Sequence, residues 1–507
     1  MTWAVLESSP RHGVPPGTGQ LETVQADAAE ATVVLLPAPT LSSSDPLNMP
    51  PLRKNLFFLT LVYGACVTGV IGPLLVPAFS IAAADLGVGL PEMALSNGVL
   101  IMGLGASSYI CGPAAELWGR RLAFLVGPLI MLAGCIWAGF ASTYSSYVGA
   151  RAVQGLGMGP FFCLAGTVSI NDVFFVHQRG RRVGWWNFAV LVSINITPVI
   201  SGYLITALSW QWSFWILAMT IGLAVVLTFF LLPETLFDPE SPALEACRTE
   251  PHAASAQYES GTSRLRQFLG LQEVCFQNPL LLFPGLIRPL GLLLSPAVLW
   301  ACAMWSVTFS WVIIQGAVAD QIFRAPPYSL SAGETGLLIG IPPLIGSALG
   351  TLTGGWMSDA AARFMAARNG GTYEPEYRLV VMLPTIFTMA VGTFGLGAAI
   401  QQGASIWASA VFLGITNFAV GCGCTGIITY TNDTCQARAG EAFGLAMLIK
   451  SAFAFGLSFM LNDYLARRGA LVFFGTFGAL TIAVTLLTVP LYVLGKQLRA
   501  KSLVSLS

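Results

Sequence analysis

Charge is what this 507-residue chain has least of: 9% of its residues are charged, 24 Lys and Arg against 24 Asp and Glu. Soluble domains carry about a quarter. With 55% hydrophobic residues and a mean hydropathy of +0.72, the ordinary soluble class is excluded and a polytopic membrane protein is indicated. Zero formal net charge leaves no basic stripe for nucleic acid. Histidine is nearly absent: His12, His177 and His252 all lie outside apolar runs, so no histidine relay crosses the membrane. The ten cysteines are scattered through apolar runs, where a thiol behaves as a small hydrophobe. They form no disulfide framework, and Cys422 and Cys424 have no histidine nearby, so neither a metal nor a cofactor is expected. No Walker A pattern is present, which excludes an ATP-driven pump with its own nucleotide domain on this chain. A membrane enzyme would need His, Asp or Ser clustered near one face, and no such cluster occurs.

What the chain does have is apolar runs. A span needs about 20 apolar residues to cross roughly 30 Å of hydrocarbon. Cutting at charges and at Pro/Gly/Ser clusters gives twelve, near 55–80, 93–113, 122–142, 146–170, 184–207 and 211–232, then 294–319, 333–356, 379–400, 404–430, 443–464 and 470–494. The predicted fold class is an all-α membrane protein with twelve transmembrane helices in two pseudo-symmetric six-helix bundles, residues 53–232 and 294–495. A polar linker over 233–293 joins them. Residues 1–52, rich in Pro, Ser, Ala and Thr, predict a disordered cytosolic arm without a signal peptide, and 496–507 a cytosolic tail.

Lys and Arg in short loops stay on the cytoplasmic side. With both termini inside, 19 of the 24 basic residues fall on cytoplasmic segments. Arg324, Arg467 and Arg468 fall outside, and Arg151 and Lys450 fall within spans. The sequons at Asn195 and Asn432 lie in the fifth span and at the inner end of the tenth, so neither is expected to carry a glycan.

After the second span stands Gly112-x3-Glu116-x3-Arg120-Arg121, and after the eighth Gly355-x3-Asp359-x3-Arg363. The recurrence at matching places indicates a duplicated unit. Acid and base four apart can pair along a helix face. This loop resembles the signature between helices two and three of the major facilitator superfamily, with Glu116 for the Asp and Leu117 for an Arg. Arg151-Ala-Val-Gln154-Gly155-Leu-Gly157-Met-Gly159 is similar to that family's fourth-helix motif, and Thr197-Pro198-Val-Ile-Ser-Gly202 to its antiporter motif. Leu232-Pro233-Glu234-Thr235, Glu374-Pro375-Glu376 and Ala439-Gly440-Glu441 resemble fungal members of the drug:proton antiporter-like branch. The resemblance covers about residues 45–495. It implies the twelve-helix fold, proton-coupled efflux of a small amphipathic organic molecule by alternating access, and gating by the Gly112 and Gly355 loops. The alternative on the same fold is an importer of a nutrient or metabolite. The expected partners are a small-molecule substrate, protons and the lipid bilayer, for a monomer in the plasma membrane.

Arg151 is the only basic residue well inside the first six spans, about seven residues into the fourth, or roughly 10 Å below the outer edge. A cation there is costly and marks a pathway or a buried pair, unless it snorkels to the interface. Gln154 shares its face, and Asn195, Gln315, Asn417 and Tyr430 are further candidates for the substrate or proton pathway. Each of these four is otherwise an interhelix hydrogen bond. Gly155 and Gly159 form a helix-packing step, and Pro198 and Gly202 a hinge or a static kink.

The cation distribution predicts that cysteines introduced in the 80–92 loop and in the 233–293 linker are labelled by impermeant reagents from opposite sides of the membrane. Labelling of both from one side would refute the assignment.

Overall fold

The computed structural model describes Val5, Pro15, residues 17–20, 46–236, 279–435 and 438–506. Its helices are α1 (Pro51–Val70), α2 (Phe79–Leu86), α3 (Leu90–Trp118), α4 (Arg120–Gly139), α5 (Tyr144–Gly157), α6 (Ile170–Val173), α7 (Val176–Ala207) and α8 (Trp210–Leu231). The second half holds α9 (Leu282–Ile287), α10 (Pro296–Phe323), α11 (Ala332–Ala367), α12 (Met382–Gln401), α13 (Ile406–Cys435), α14 (Ala439–Ser458), α15 (Leu461–Leu486) and α16 (Thr488–Leu506). Among the described residues, eleven helical segments are long and apolar enough to cross a membrane. Helix α1, which packs on α7 and α8, is less apolar because Arg53, Lys54 and Asn55 lie in its first two turns.

The same packing scheme appears twice. In the first half α3 and α4 pack on α5, α4 on α8, and α1 on α7 and α8. In the second, α11 and α12 pack on α13, α12 on α15, and α10 on α14 and α15. Each first-half helix thus has a counterpart with equivalent neighbours. The halves meet along two related seams, α3 against α14 and α7 against α11.

Small residues make those seams tight. A Cβ on Gly336 of α11 would stand 2.1 Å from the Pro198 carbonyl oxygen of α7, and one on Gly202 would stand 2.5 Å from that of Ala332. Helix α7 runs unbroken through Pro198, so Pro198 and Gly202 form a close crossing between the halves and not a visible break. Gly155 and Gly159 serve α3 in the same way: their Cβ atoms would meet Leu100 O at 2.2 Å and Ser107 C at 2.6 Å.

Several expectations need correction. The first span ends at Val70; the chain turns at 71–75, makes a 3-10 turn over Val76–Ala78 and enters α2. The fourth span is composite, α5 continuing into a π-helical stretch, Pro160–Ser169, before α6. Gly112, Glu116, Gly355, Asp359 and Arg363 sit within α3 and α11, so the repeated motif lies on helix ends and not in loops. Only Gly119, at φ 89°, breaks the chain between α3 and α4. The arm is in part ordered: Gly19–Gln20 pairs antiparallel with Thr372–Tyr373, and Val5 packs on Met365, Ala366 and Tyr377. The tail is helical to Leu506. Of the linker, 237–278 lie outside the described residues. Its end is a short apolar helical segment, Leu282–Leu294, with Phe283, Ile287 and Leu294 exposed, suited to lie in a membrane interface.

Replacing Gly336 by Val should force the α7–α11 crossing apart and cost about 1–3 kcal/mol. Thermal unfolding in detergent should show a lowered Tm; an unchanged Tm would mean the crossing is not tight.

Candidate functional site

A cavity of about 1300 Å³ lies between the halves. It occupies the end of the bundle where the linker leaves, here the linker end. Its wall includes Asn171, Trp186, Trp305, Thr425 and Asn432, with Arg179, Arg181 and Glu441 among its charged groups. At the far end the halves are in contact. Asp320 of α10, 3% exposed, accepts a hydrogen bond from the Ser80 backbone N–H at 3.0 Å and pairs with Arg324 at 3.3 Å. Arg324 also donates to the Ser80 hydroxyl. The 3-10 turn at Val76 packs against Gly316 of α10. Asp320 lies one residue beyond the span predicted at 294–319, and the longer helix carries this carboxylate into the buried interior.

The repeated motif brings charge to the linker end, but its partners differ from the sequence expectation. Arg120 pairs with Asp172 at the end of the fourth span, with Glu116 close enough to add its field. In the second half Arg378, at the start of the ninth span, joins Asp359 at 2.7 Å to Asp433 at 2.6 Å. Both sets comprise an acid ending span two or eight, an arginine opening three or nine, and an aspartate ending four or ten. The expected pairing of acid and base four residues apart is not made: Arg363 Nε donates to the Asp359 backbone carbonyl at 3.3 Å. Arg179, near Asp172 in sequence, donates to the carbonyls of Phe174 and Asn171. Glu234 was missed as well. Its two carboxylate oxygens accept the Arg120 and Arg121 backbone N–H groups, each at 3.0 Å, where a helix start favours an anion.

Beside Arg378, the Tyr373 hydroxyl donates to Asp433; burial and then the Asp433 charge push this phenol up, so it stays a donor. Glu374 and Glu376 belong to the Glu374-Pro375-Glu376 motif of the resemblance. Both are buried, because the tail helix returns Arg499 to within 2.8 Å of Glu376 and 3.0 Å of Glu374, and Lys496 to within 2.8 Å of Glu374. Thr18 of the arm donates to Glu374 at 2.6 Å.

Arg151, Gln154, Asn195, Gln315, Asn417 and Tyr430 are not among the residues of the cavity wall. Arg151 is wholly buried, which excludes snorkelling. Its Nη1 donates to the Ile71 carbonyl at 3.0 Å and to Gln154 Oε1 at 3.1 Å, and its guanidinium lies over the Tyr147 and Phe214 rings. Nε and Nη2 have no hydrogen-bond partner among the described residues. Gln154 passes the chain on, donating to the Gly134 carbonyl at 3.1 Å. The break after α1 frees the Ile71 carbonyl for this contact, so Arg151 ties α1, α4 and α5 together. Asn417 donates to Gln315 at 2.8 Å, an interhelix bond between α13 and α10. Asn195 bonds within its own helix, and the Tyr430 ring meets Trp300 edge-on.

Gln154→Ala should cost about 1.5–3 kcal/mol, the value of a hydrogen bond to a charged group, and much less in an Arg151→Met background. A double-mutant cycle by thermal unfolding reads the difference. Equal costs in both backgrounds would show that the two side chains are not coupled.

Comparisons with known proteins agree with this architecture. The family model described as Major Facilitator Superfamily matches residues 56–458. An uncharacterized MFS-type transporter of Schizosaccharomyces pombe, C1271.10c, is 24% identical over 93% of this chain and 88% of its own. Efflux pump radE of Floropilus chiversii is 26% identical over 90% of this chain and 83% of its own, and protein HOL1 of Saccharomyces cerevisiae 23% identical over 92% and 90%. Among solved structures, the xylose transporter XylE from E. coli, in a partially occluded inward-open form, superposes with a TM-score of 0.59 at 13% identity. That match covers 87% of this chain and 98% of XylE, and shows the shared fold. A multi-pass membrane protein of paired six-helix bundles enclosing a cavity between them, this chain belongs to the major facilitator superfamily of transporters.

Proposed function

We propose that this chain is a secondary active exporter, moving a small amphipathic organic molecule out of the cytosol by alternating access with the proton gradient as its energy source. The observation that carries the reading is the asymmetry of the molecule: a large cavity open at the linker end, and a far end closed by Asp320, Ser80, Arg324 and the glycine crossings. In this reading the linker end and both termini face the cytosol, in keeping with the distribution of Lys and Arg, and the monomer resides in the plasma membrane. The names of relatives such as efflux pump radE favour export. The substrate enters among the aromatic rings of Trp186 and Trp305. Arg151 and Gln154 act by positioning α1 and α5, while Gln315, Asn417 and Tyr430 keep neighbouring helices in register beside the pathway and Asn195 bonds within α7.

Gly112, Glu116, Arg120 and Arg121 with Gly355, Asp359 and Arg363 govern exchange between the two states. Their place at the linker end, away from the far-end closure, supports an effect on conformational equilibrium and not on the pocket. Asp359→Ala should slow export several-fold while substrate affinity changes only a few-fold; lost affinity with unaltered conformational populations would remove the gate assignment. Export itself is read in cells loaded with carboxyfluorescein through its diacetate. Cells expressing the chain should retain several-fold less dye than empty cells, and a protonophore should abolish the difference. Equal retention would overturn the reading.

A further inference from the structure

Lys450 is the second cation inside the membrane helices, and none of the gating or packing contacts uses it. It is 3% exposed, on α14, one turn beyond Ala446 of the cavity wall. On α10 the same step leads from Trp305, also in the wall, to Phe309. The Lys450 Nζ stands 3.5 Å from the centroid of the Phe309 ring and 5.3 Å from that of Trp305. Among the described residues it has no carboxylate partner and donates no hydrogen bond; the titratable group nearest in effect is the Cys424 thiol of α13.

Aromatic faces attract an ammonium, yet they accept none of its three N–H donors in the way an oxygen does. A buried charge left in that condition is costly, and a membrane protein that keeps one in a span has a use for it. Arg151 differs, since Ile71 and Gln154 give its guanidinium two oxygen acceptors. One turn behind the cavity wall at Trp305 and Ala446, an ammonium with unused donors therefore lies beside an indole and a phenyl ring. Its complement is an oxyanion on a flat apolar body. A cationic ligand placed there would meet a like charge that, among the described residues, has no carboxylate partner of its own.

We propose that Lys450, Trp305 and Phe309 form a binding site for an amphipathic organic acid, the ammonium pairing with the carboxylate and the two rings covering the apolar body. The site deepens the transport reading and rests on it for the direction of movement.

The test uses the full chain in lipid nanodiscs and three probes of one shape: 2-naphthylacetate, its methyl ester, and 2-(2-naphthyl)ethylamine. Equilibrium dialysis should show the acid binding about tenfold tighter than the ester, and the amine weakest. Lys450→Met should remove the preference for the acid and leave ester affinity unchanged; Lys450→Arg should keep part of it. Trp305→Ala should weaken acid and ester alike. Lys450→Met is expected to fold, since it replaces an unpaired buried charge by an apolar chain of similar length, and a Tm at or above that of the unaltered protein checks this. Equal binding of acid and ester, persistence of the preference in Lys450→Met, or no binding of the acid would each overturn the proposal. The two readings fail separately. Acid-selective binding that depends on Lys450, with no carboxyfluorescein export, sinks transport alone; export with unaltered acid binding in Lys450→Met sinks the site alone.

Discussion

Hydrocarbon does not solvate charge, so the ionised groups described among these helices, Lys450 apart, are answered by the protein or kept at a helix end. The arrangement of the bundle follows that constraint. At the linker end the charges gather into two related sets, Glu116, Arg120 and Asp172 in one half and Asp359, Arg378 and Asp433 in the other. Within each set the arginine opens one span while the acids close two others, so a single guanidinium fixes the ends of three helices. Glu234 adds to the first half by taking the free N–H groups at the start of α4. The second half solves the same problem with its tail, Arg499 and Lys496 neutralising Glu374 and Glu376.

The spans were legible because the sequence withholds charge over long runs, and that absence is a one-dimensional signal. The duplication was legible for the same reason, as the same residue types return at the same offset. Arg151 with Gln154 could be read too, since residues three apart share a helix face. Their contact with Ile71 could not, because it depends on where α1 ends. The pairing expected four residues apart, Glu116 with Arg120 and Asp359 with Arg363, gives way to Asp172 and Arg378 as partners. Each is supplied by another helix, and proximity in sequence is a poor guide to which. The burial of Glu374 and Glu376 was not legible, since nothing near them in sequence indicates that a helix more than a hundred residues later returns to cover them. Lys450 was visible as a cation in a span, but its two rings come from α10, and only the packing of α14 on α10 brings them together.

Packing between the halves uses a different principle. The seams of α7 with α11 and of α3 with α14 rely on residues without bulk, so backbone approaches backbone: Pro198 against Gly336, Met447 and Ser451 against Gly105. Lipid tails offer no hydrophobic penalty for separating two helices, so such seams hold through close contact and weak polar bonds.

These two kinds of contact divide the labour of the molecule. The ion pairs described at the linker end, Arg120 with Asp172 and Arg378 with Asp359 and Asp433, lie within one half or the other. A rigid rotation of the halves leaves them whole. The far-end contacts of Ser80 with Asp320 and Arg324 cross between the halves, as do the glycine seams. Opening the far end therefore breaks few strong interactions, while the charge clusters that keep each half stiff persist through the motion. On the proposed alternating-access reading, two halves joined by seams of small residues, with a cavity between them, can exchange which end is open at modest cost. That division, strong bonds inside each half and short-range packing between them, is what alternating access requires of a structure.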